Sequence, residues 1–228
     1  MTDITIITPH RDRTRQLELV IDCINNQTVK PDNWIIVDDG LERVPEEVLK
    51  KSLVPIEYLW YERKYEKSAS ENSLLAMQRV ATKKCIVIED DDYYPPAYIE
   101  TVSNLLEGKE DVLMGNASWY IYRLSTGHYT VRNGKQMKPR CGVEFEWHSV
   151  SFAGDKIRQA LVEFFKLCKG KRLPPDILAQ QVVDRQHFTL LLPDLGKNSC
   201  VSLKDYGVGH PGWMSDHRKV RGDTKLDT

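Results

Sequence analysis

The 228-residue sequence has no apolar run approaching the roughly 20 residues that a membrane-spanning helix needs. Its opening residues, Met1-Thr2-Asp3-Ile4, lack the basic-then-apolar layout of an export signal. Both absences predict a cytoplasmic protein without membrane insertion. Cysteine is scarce: Cys23, Cys85, Cys141, Cys168 and Cys200 are scattered, with no CxxC pair. That excludes a zinc cage or disulfide framework and reads as reduced thiols. Net charge is nearly absent, because 32 Lys and Arg face 33 Asp and Glu. A whole-molecule electrostatic grip on nucleic acid or anionic membrane is thereby excluded, although local basic patches are not. There is no internal repeat and no low-complexity linker. The turn from Thr8 to Arg13 contains no glycine, which argues against the Gly-rich phosphate loop expected of a nucleotidyl transferase. With no secretory route, the sequon Asn116-Ala117-Ser118 carries no glycan, and Arg221-Gly222-Asp223 reads as a polar tail.

What is present is an alternation of two periodicities. Short β-branched runs at 4–7, 34–37, 56–60 and 85–89 read as strands. Between them, Leu17, Val20, Ile21 and Ile24 recur at helix spacing, Pro45 opens a short helix to Lys51, and 70–81 reads as a third helix. Pro95-Pro96 starts a fourth, through Ile99, Val102 and Leu106, closed by Gly108. Such alternation with short links predicts an α/β fold with a mainly parallel sheet covered on both faces. Beyond Asp111 the pattern changes. Segments 117–124 and 128–132 flank Ser125-Thr126-Gly127 as a hairpin, and helices follow at 156–167 and 176–187. We expect this second half to build onto the same sheet. The expected organisation is one domain, 1–228, with a ligand-binding half at 1–114 and a second half with a tail at 115–228.

Open parallel sheets bind ligands beyond the carboxyl ends of their strands, and here each of the first four strands ends in polar residues. They are Thr8-Pro9-His10-Arg11-Asp12-Arg13, Asp38-Asp39-Gly40, Glu62-Arg63-Lys64 with Lys67-Ser68, and Glu89-Asp90-Asp91-Asp92. Consecutive carboxylates repel unless a cation is present. Carboxylate oxygens suit Mg2+ or Mn2+, completed by water and substrate phosphates. Two acid clusters at neighbouring strand ends, with arginine and lysine between them, therefore predict a metal plus a phosphate-bearing ligand. A solvated acidic loop near a helix N-terminus is the simpler alternative for either cluster alone.

The stretches ITPHRDRTRQLELVIDCINNQTVKPDNWIIVDDG and KSASENSLLAMQRVATKKCIVIEDDDYYPPAYI resemble the opening blocks of family 2-type glycosyltransferases of the GT-A fold. The resemblance covers about the first hundred residues, and the chain is also similar to small, stand-alone bacteriophage-encoded members. It implies a Rossmann-like GT-A domain that moves a sugar from a nucleotide-sugar donor, with UDP expected, to an acceptor hydroxyl. The transfer is expected to invert configuration and to need Mn2+ or Mg2+. Thr8, Pro9, Arg11 and Arg13 fall where the family lines its base and phosphate pocket. Asp39, with Asp38 as the near alternative, falls where the nucleobase is held. Asn72 matches a family Asn, but Glu71 stands where an Arg commonly precedes it, so Lys67 is expected to supply the phosphate contact. Asp90-x-Asp92 matches the DxD motif, with Asp92 as metal ligand and Asp90 and Asp91 holding ribose or metal-bound water. Asp176 stands where inverting members carry the general base, with Asp155 as alternative. In the tail, His210, or else His217, is the expected second metal contact, and Trp213 could stack on a sugar or base.

The resemblance and the missing anchor also lead to an expectation about the acceptor: a hydroxymethylated pyrimidine in phage DNA, modified in the host cytoplasm. Basic segments at 132–140, 166–172 and 218–225 would hold phosphates, and Trp147 or Trp213 would stack on a flipped base. A bacterial surface saccharide is the alternative acceptor. A non-catalytic carbohydrate-binding protein that retains the fold is the alternative to an enzyme.

Overall fold

A computed structural model describes residues 2–62, 69–171 and 173–204, and the backbone of 224–225. The main sheet has seven strands: β1 (Ile4–His10), β2 (Asn33–Asp38), β3 (Ile56–Trp60), β4 (Lys84–Val87), β6 (Val112–Met114), β9 (Ser151–Ala153) and β10 (Thr189–Leu191). Their order is β10-β6-β9-β4-β1-β2-β3. All neighbours run parallel except β9, which is antiparallel to both β4 and β6. A second sheet joins β5 (Asp92–Tyr93), β7 (Ser118–Arg123), β8 (His128–Asn133), β11 (Val201–Lys204) and β12 (Thr224–Lys225) in the order β12-β8-β7-β11-β5.

The helices are α1 (Thr14–Asn25), α2 (Glu46–Leu49), α3 (Ala69–Met77), α4 (Tyr98–Leu106), α5 (Gly134–Cys141), α6 (Asp155–Leu167) and α7 (Pro175–Gln186). Helix α1 forms because Leu17, Val20, Ile21 and Ile24 make one apolar stripe, and all four are buried in the core with Ile4, Ile6, Trp34 and Ile36. Each contributes about 1.5–3 kcal/mol by leaving water. The opposite face of the sheet is covered by α3, α6 and α7, through Leu74, Met77, Ile157, Leu161, Phe165, Leu178 and Val182.

The alternating first half matches the expected elements, although β1 runs three residues further, through Thr8, Pro9 and His10. The second half departs from expectation. Only β6, β9 and β10 extend the main sheet, whereas the 118–133 hairpin belongs to the second sheet. Gly134 explains part of that geometry, since a Cβ there would lie 1.6 Å from the carbonyl oxygen of Glu144. The hairpin exit and the following chain approach too closely for any side chain.

The direction of β9 decides where the second half contributes. Because β9 is antiparallel, its leading residues lie at the carboxyl edge of β4: Ser151 pairs with Ile86, and Val87 N–H donates to Val150 O at 2.9 Å. The 3-10 turn Trp147–Ser149 therefore arrives beside the acidic segment 89–92. Helix α7 precedes β10, which is parallel to β6, so Asp176 at its start lies at this same edge. Asp155 opens α6 after β9 has crossed to the other edge. It is 75% exposed and pairs with Arg158, so it is placed away from the acid cluster.

Candidate active site

At the end of β2 the two acids have different surroundings. Asp38 is fully buried, and both its oxygens are used: Gly40 N–H donates to Oδ1 at 2.7 Å and Tyr58 O–H to Oδ2 at 2.5 Å. Burial raises its pKa. Its geometry is that of a turn-forming carboxylate. Asp39 is also buried, and Arg11 grips it with Nε at 3.1 Å and a second nitrogen at 2.7 Å. Asn72 Nδ2 lies 3.1 Å from the same carboxylate, 3.1 Å from His10 O and 3.2 Å from Val37 O. Asn72 thus ties the ends of β1 and β2 together, and its Oδ1 accepts from Tyr61 O–H. Thr8 and Pro9 lie buried inside β1, and the Thr8 hydroxyl accepts from Trp34 Nε1 at 2.9 Å. The expected pocket roles of Thr8, Pro9 and Asp38 thus fall on side chains sealed within the fold.

The acidic string after β4 is divided in the same way. Asp90 is buried beneath His10, whose Nδ1 is 2.6 Å from Oδ2, and beside Arg13, 2.5 Å from Oδ1. Burial opposes its charge, yet Arg13 and the His10 hydrogen bond hold its pKa below the usual value. Asp90 is therefore an internal anchor, with no exposed oxygen for ribose. Asp91 pairs with the same Arg13 and remains partly exposed. Burial, with Asp92 and Asp90 adding to it against Arg13, pushes its pKa up to about 6. Because Asp90 titrates low, the stability it provides is present above the ordinary carboxylate range and is lost as pH falls through its folded value. Removing its charge should cost about 3 kcal/mol. We expect Asp90→Ala to melt well below wild type at neutral pH, and an unchanged melting temperature would overturn the anchoring role.

Asp92 opens β5, and its Oδ1 accepts from Leu203 N–H at 3.2 Å. Its other oxygen, Oδ2, is buried without a hydrogen-bond partner and lies 3.4 Å from His148 Nδ1. Glu89, Asp92 and His148 each bring one donor atom within 4.8 Å of the others. Burial raises Asp92 and Glu89, and the neighbouring acids lift Glu89 further. Burial also pushes His148 down to about 4, so its imidazole is neutral, with a lone pair to offer at neutral pH. An unpartnered buried carboxylate oxygen facing a neutral imidazole fits a divalent cation.

Glu146 lies 3.3 Å from His148 Nδ1, and burial raises its pKa. The charges of Asp92 and Asp176 add to that rise, against His148 and Lys204. Asp176 accepts from Ile177 N–H at 2.9 Å, and burial raises its pKa. Lys204 of β11 is held above its ordinary value, despite burial, by Asp92, Asp91, Glu89 and Glu146.

Asp92, expected as the metal ligand, lies with Glu89 of the same acidic string and with His148, whereas His148 and Glu146 were not foreseen as neighbours of that string. The readable signal was Glu146-x-His148 immediately before the apolar run 150–153. Recognising it required knowing that this strand runs backwards. Trp147, considered above as a stacking residue, is instead buried against Phe165 with ring centroids 5.7 Å apart. Lys67, His210, Trp213 and His217 lie outside the described residues.

Glu89, Asp92 and His148 thus form a group that could hold a cation at the carboxyl edge of a mixed α/β sheet. Residues 5–162 match the model of glycosyl transferase family 2, and the chain belongs to this family. No curated protein sequence matches the chain. Among solved structures, residues 1–349 of S. aureus TarS are similar at 10% identity and a TM-score of 0.64, over 88% of this chain and 60% of that one. The same protein in complex with UDP gives 11% identity and 0.61, over 89% and 60%. A mannosyltransferase from Pyrobaculum calidifontis in complex with GDP-Man and Mn2+ gives 14% identity and 0.59, over 90% and 58%. These likenesses establish the GT-A fold. The chain spans about three-fifths of the length of these structures, and 36% of a longer structure of TarS. Among the described residues, no helix is long and apolar enough to cross a membrane.

Proposed function

We propose that the protein transfers a glycosyl group from a nucleoside diphosphate sugar, with UDP as the carrier, to an acceptor hydroxyl. The single observation behind this reading is the buried, unpartnered Asp92 Oδ2 facing His148 at the carboxyl edge of the parallel sheet. Family membership supplies the reaction class. The UDP and GDP-Man complexes of similar folds support a nucleotide-sugar donor.

In this reading Glu89, Asp92 and His148 hold Mn2+ or Mg2+. When bound, the ion neutralises the diphosphate as it leaves. Arg11 and Asn72 fix Asp39 so that its carboxylate can accept from the nucleobase. Arg13, already neutralising Asp90 and Asp91, keeps the acidic loop in one conformation. Asp176 removes the proton from the acceptor hydroxyl as its oxygen attacks the anomeric carbon. The bond from that carbon to the diphosphate breaks, the leaving group takes the electron pair, and configuration inverts.

Asp39→Asn tests the nucleobase contact. We expect UDP binding to weaken by about 1–3 kcal/mol in titration calorimetry. The amide, unlike alanine, leaves a partner for the half-buried Arg11 guanidinium. Equal affinity for variant and wild type would remove Asp39 from the pocket.

The acceptor proposed for test is a hydroxymethylated pyrimidine in DNA, with a bacterial surface saccharide as the alternative. Incubation of the enzyme and UDP-sugars with DNA containing 5-hydroxymethylpyrimidines, followed by nucleoside mass analysis, decides the matter. Sugar added only to free saccharides would eliminate the DNA acceptor.

A further inference from the structure

We propose that Glu71 is a positioning residue which, with Ser70, clamps the α6–α7 connection and so fixes the Asp176 carboxylate relative to the donor pocket. The inference rests on the functional reading above, in which Asp176 is the base, and names the groups that hold that base in place. Helix α6 ends at Leu167 and α7 begins at Pro175. The first turn of α3 grips the chain between them at two points. Glu71 Oε1 accepts from Gly170 N–H at 3.1 Å, and the Ser70 hydroxyl donates to Leu173 O at 2.5 Å.

The first grip is a buried one. Glu71 is 8% exposed, and the half-exposed Lys169 brings its Nζ to 3.8 Å from Oε2. A carboxylate is costly to bury unless hydrogen bonds and nearby charge offset the loss of water. A backbone N–H donating to a charged oxygen makes a stronger bond than one donating to a neutral oxygen. Gly170 takes φ +76°, a conformation that favours glycine, so the carboxylate holds the backbone at the turn itself.

Between the second grip and the base stand two prolines. Pro174 precedes α7 with φ −59° and ψ 144°, and Pro175 is the first residue of the helix. A proline ring fixes φ, and the residue before a proline is confined to extended backbone. The path from Leu173 to Asp176 therefore has few soft torsions, and pinning the Leu173 carbonyl constrains the aspartate. Asp176 in turn accepts from Ile177 N–H at 2.9 Å, a helix-start donor that no preceding turn can satisfy. The next residue of α3, Asn72, donates to His10 O, Val37 O and Asp39. Residues 70 to 72 thus join the segment that carries the base to the carboxylate proposed to hold the nucleobase. A displacement of about 1 Å between groups that must act together can cost about 10²-fold in rate.

The test combines amide hydrogen exchange of the whole protein with kinetics. In Glu71→Ala the Gly170 and Ile177 amides should exchange at least about 10-fold faster than in wild type, with Ile6 and Ile7 of β1 unchanged. Glu71→Gln, whose amide oxygen can still accept from Gly170 N–H, should restore slow exchange. With UDP-glucose, Mn2+ and water as acceptor, Glu71→Ala should release UDP with kcat lowered about 10- to 100-fold and KM unchanged. Glu71→Gln should recover most of that loss. In the Asp176→Asn background Glu71→Ala should cause no further loss, because both act through the same carboxylate. Ser70→Ala removes the Leu173 contact, should act in the same direction, and covers the case in which Glu71→Ala fails to fold. The proposal is overturned if neither alanine variant quickens exchange at Ile177, or if KM rises while kcat holds. It is also overturned if the losses from Glu71→Ala and Asp176→Asn multiply, which would make Glu71 a general structural residue. Failure of turnover with every nucleotide-sugar, with exchange as expected, would instead overturn the functional reading and leave the clamp on Asp176 standing.

Discussion

Asp92→Asn is expected to lower metal-dependent sugar transfer by at least about 10³-fold, since several kcal/mol of leaving-group stabilisation depend on the ion it helps to hold. The variant should nevertheless fold, because an asparagine oxygen can still accept the Leu203 N–H bond. Its stability gives a second readout of opposite sign. Burial raises the Asp92 pKa above its ordinary 3.8. Over the interval above 3.8 the folded chain holds a proton that the unfolded chain has released, so folding stability falls as pH rises to the folded value. The resulting penalty persists at higher pH. An amide avoids it. In EDTA at pH 7.5 the variant should therefore melt above wild type. Mn2+, binding only the folded wild type, should reverse the order. Equal melting shifts with Mn2+ in both proteins, or undiminished activity in EDTA, would sink the metal assignment.

The second large effect concerns Asp176. Asp176→Asn should reduce turnover by about 10²- to 10⁴-fold while donor affinity stays unchanged, as expected for an interaction made only in the transition state. Its side chain lies at the start of α7, and burial raises its affinity for a proton. A group in that condition is better matched to accept a proton near neutral pH than an ordinary exposed aspartate. The amide can still accept the Ile177 N–H bond, so the helix start is preserved. Full turnover in Asp176→Asn would remove Asp176 as the base. Asp155→Asn should leave turnover unchanged, because that residue lies beyond the far end of β9 and pairs with Arg158.

The acids of the site show how far local pattern carries. Four consecutive carboxylates after an apolar run are visible in the sequence, and so is their place at a strand end. Their separate roles are not. Asp90 becomes an internal anchor because His10 and Arg13, some 80 positions earlier in the chain, close over it. Asp92 faces the cluster because β5 pairs with β11, more than 100 positions later. Neither partner can be inferred from the four letters themselves. Asp38 and Asp39 divide for the same reason, one turned toward Tyr58 and Gly40, the other toward Arg11 and Asn72.

The sequence alone determined the alternating first half, since helix and strand periodicities are local and burying each apolar stripe leaves few arrangements. It also determined that polar residues gather at the carboxyl ends of β1, β2 and β4, because the parallel direction of those strands follows from the intervening helices. Only the tertiary structure decided the rest. Strand β9 is three residues long, and nothing within it encodes that it runs against β4 and β6. That reversal carries Glu146 and His148 to the acid cluster and sends Asp155 to the opposite edge. Strand direction is set by pairing between segments distant in sequence, where the energy comes from ladder hydrogen bonds and shared burial rather than from any local preference.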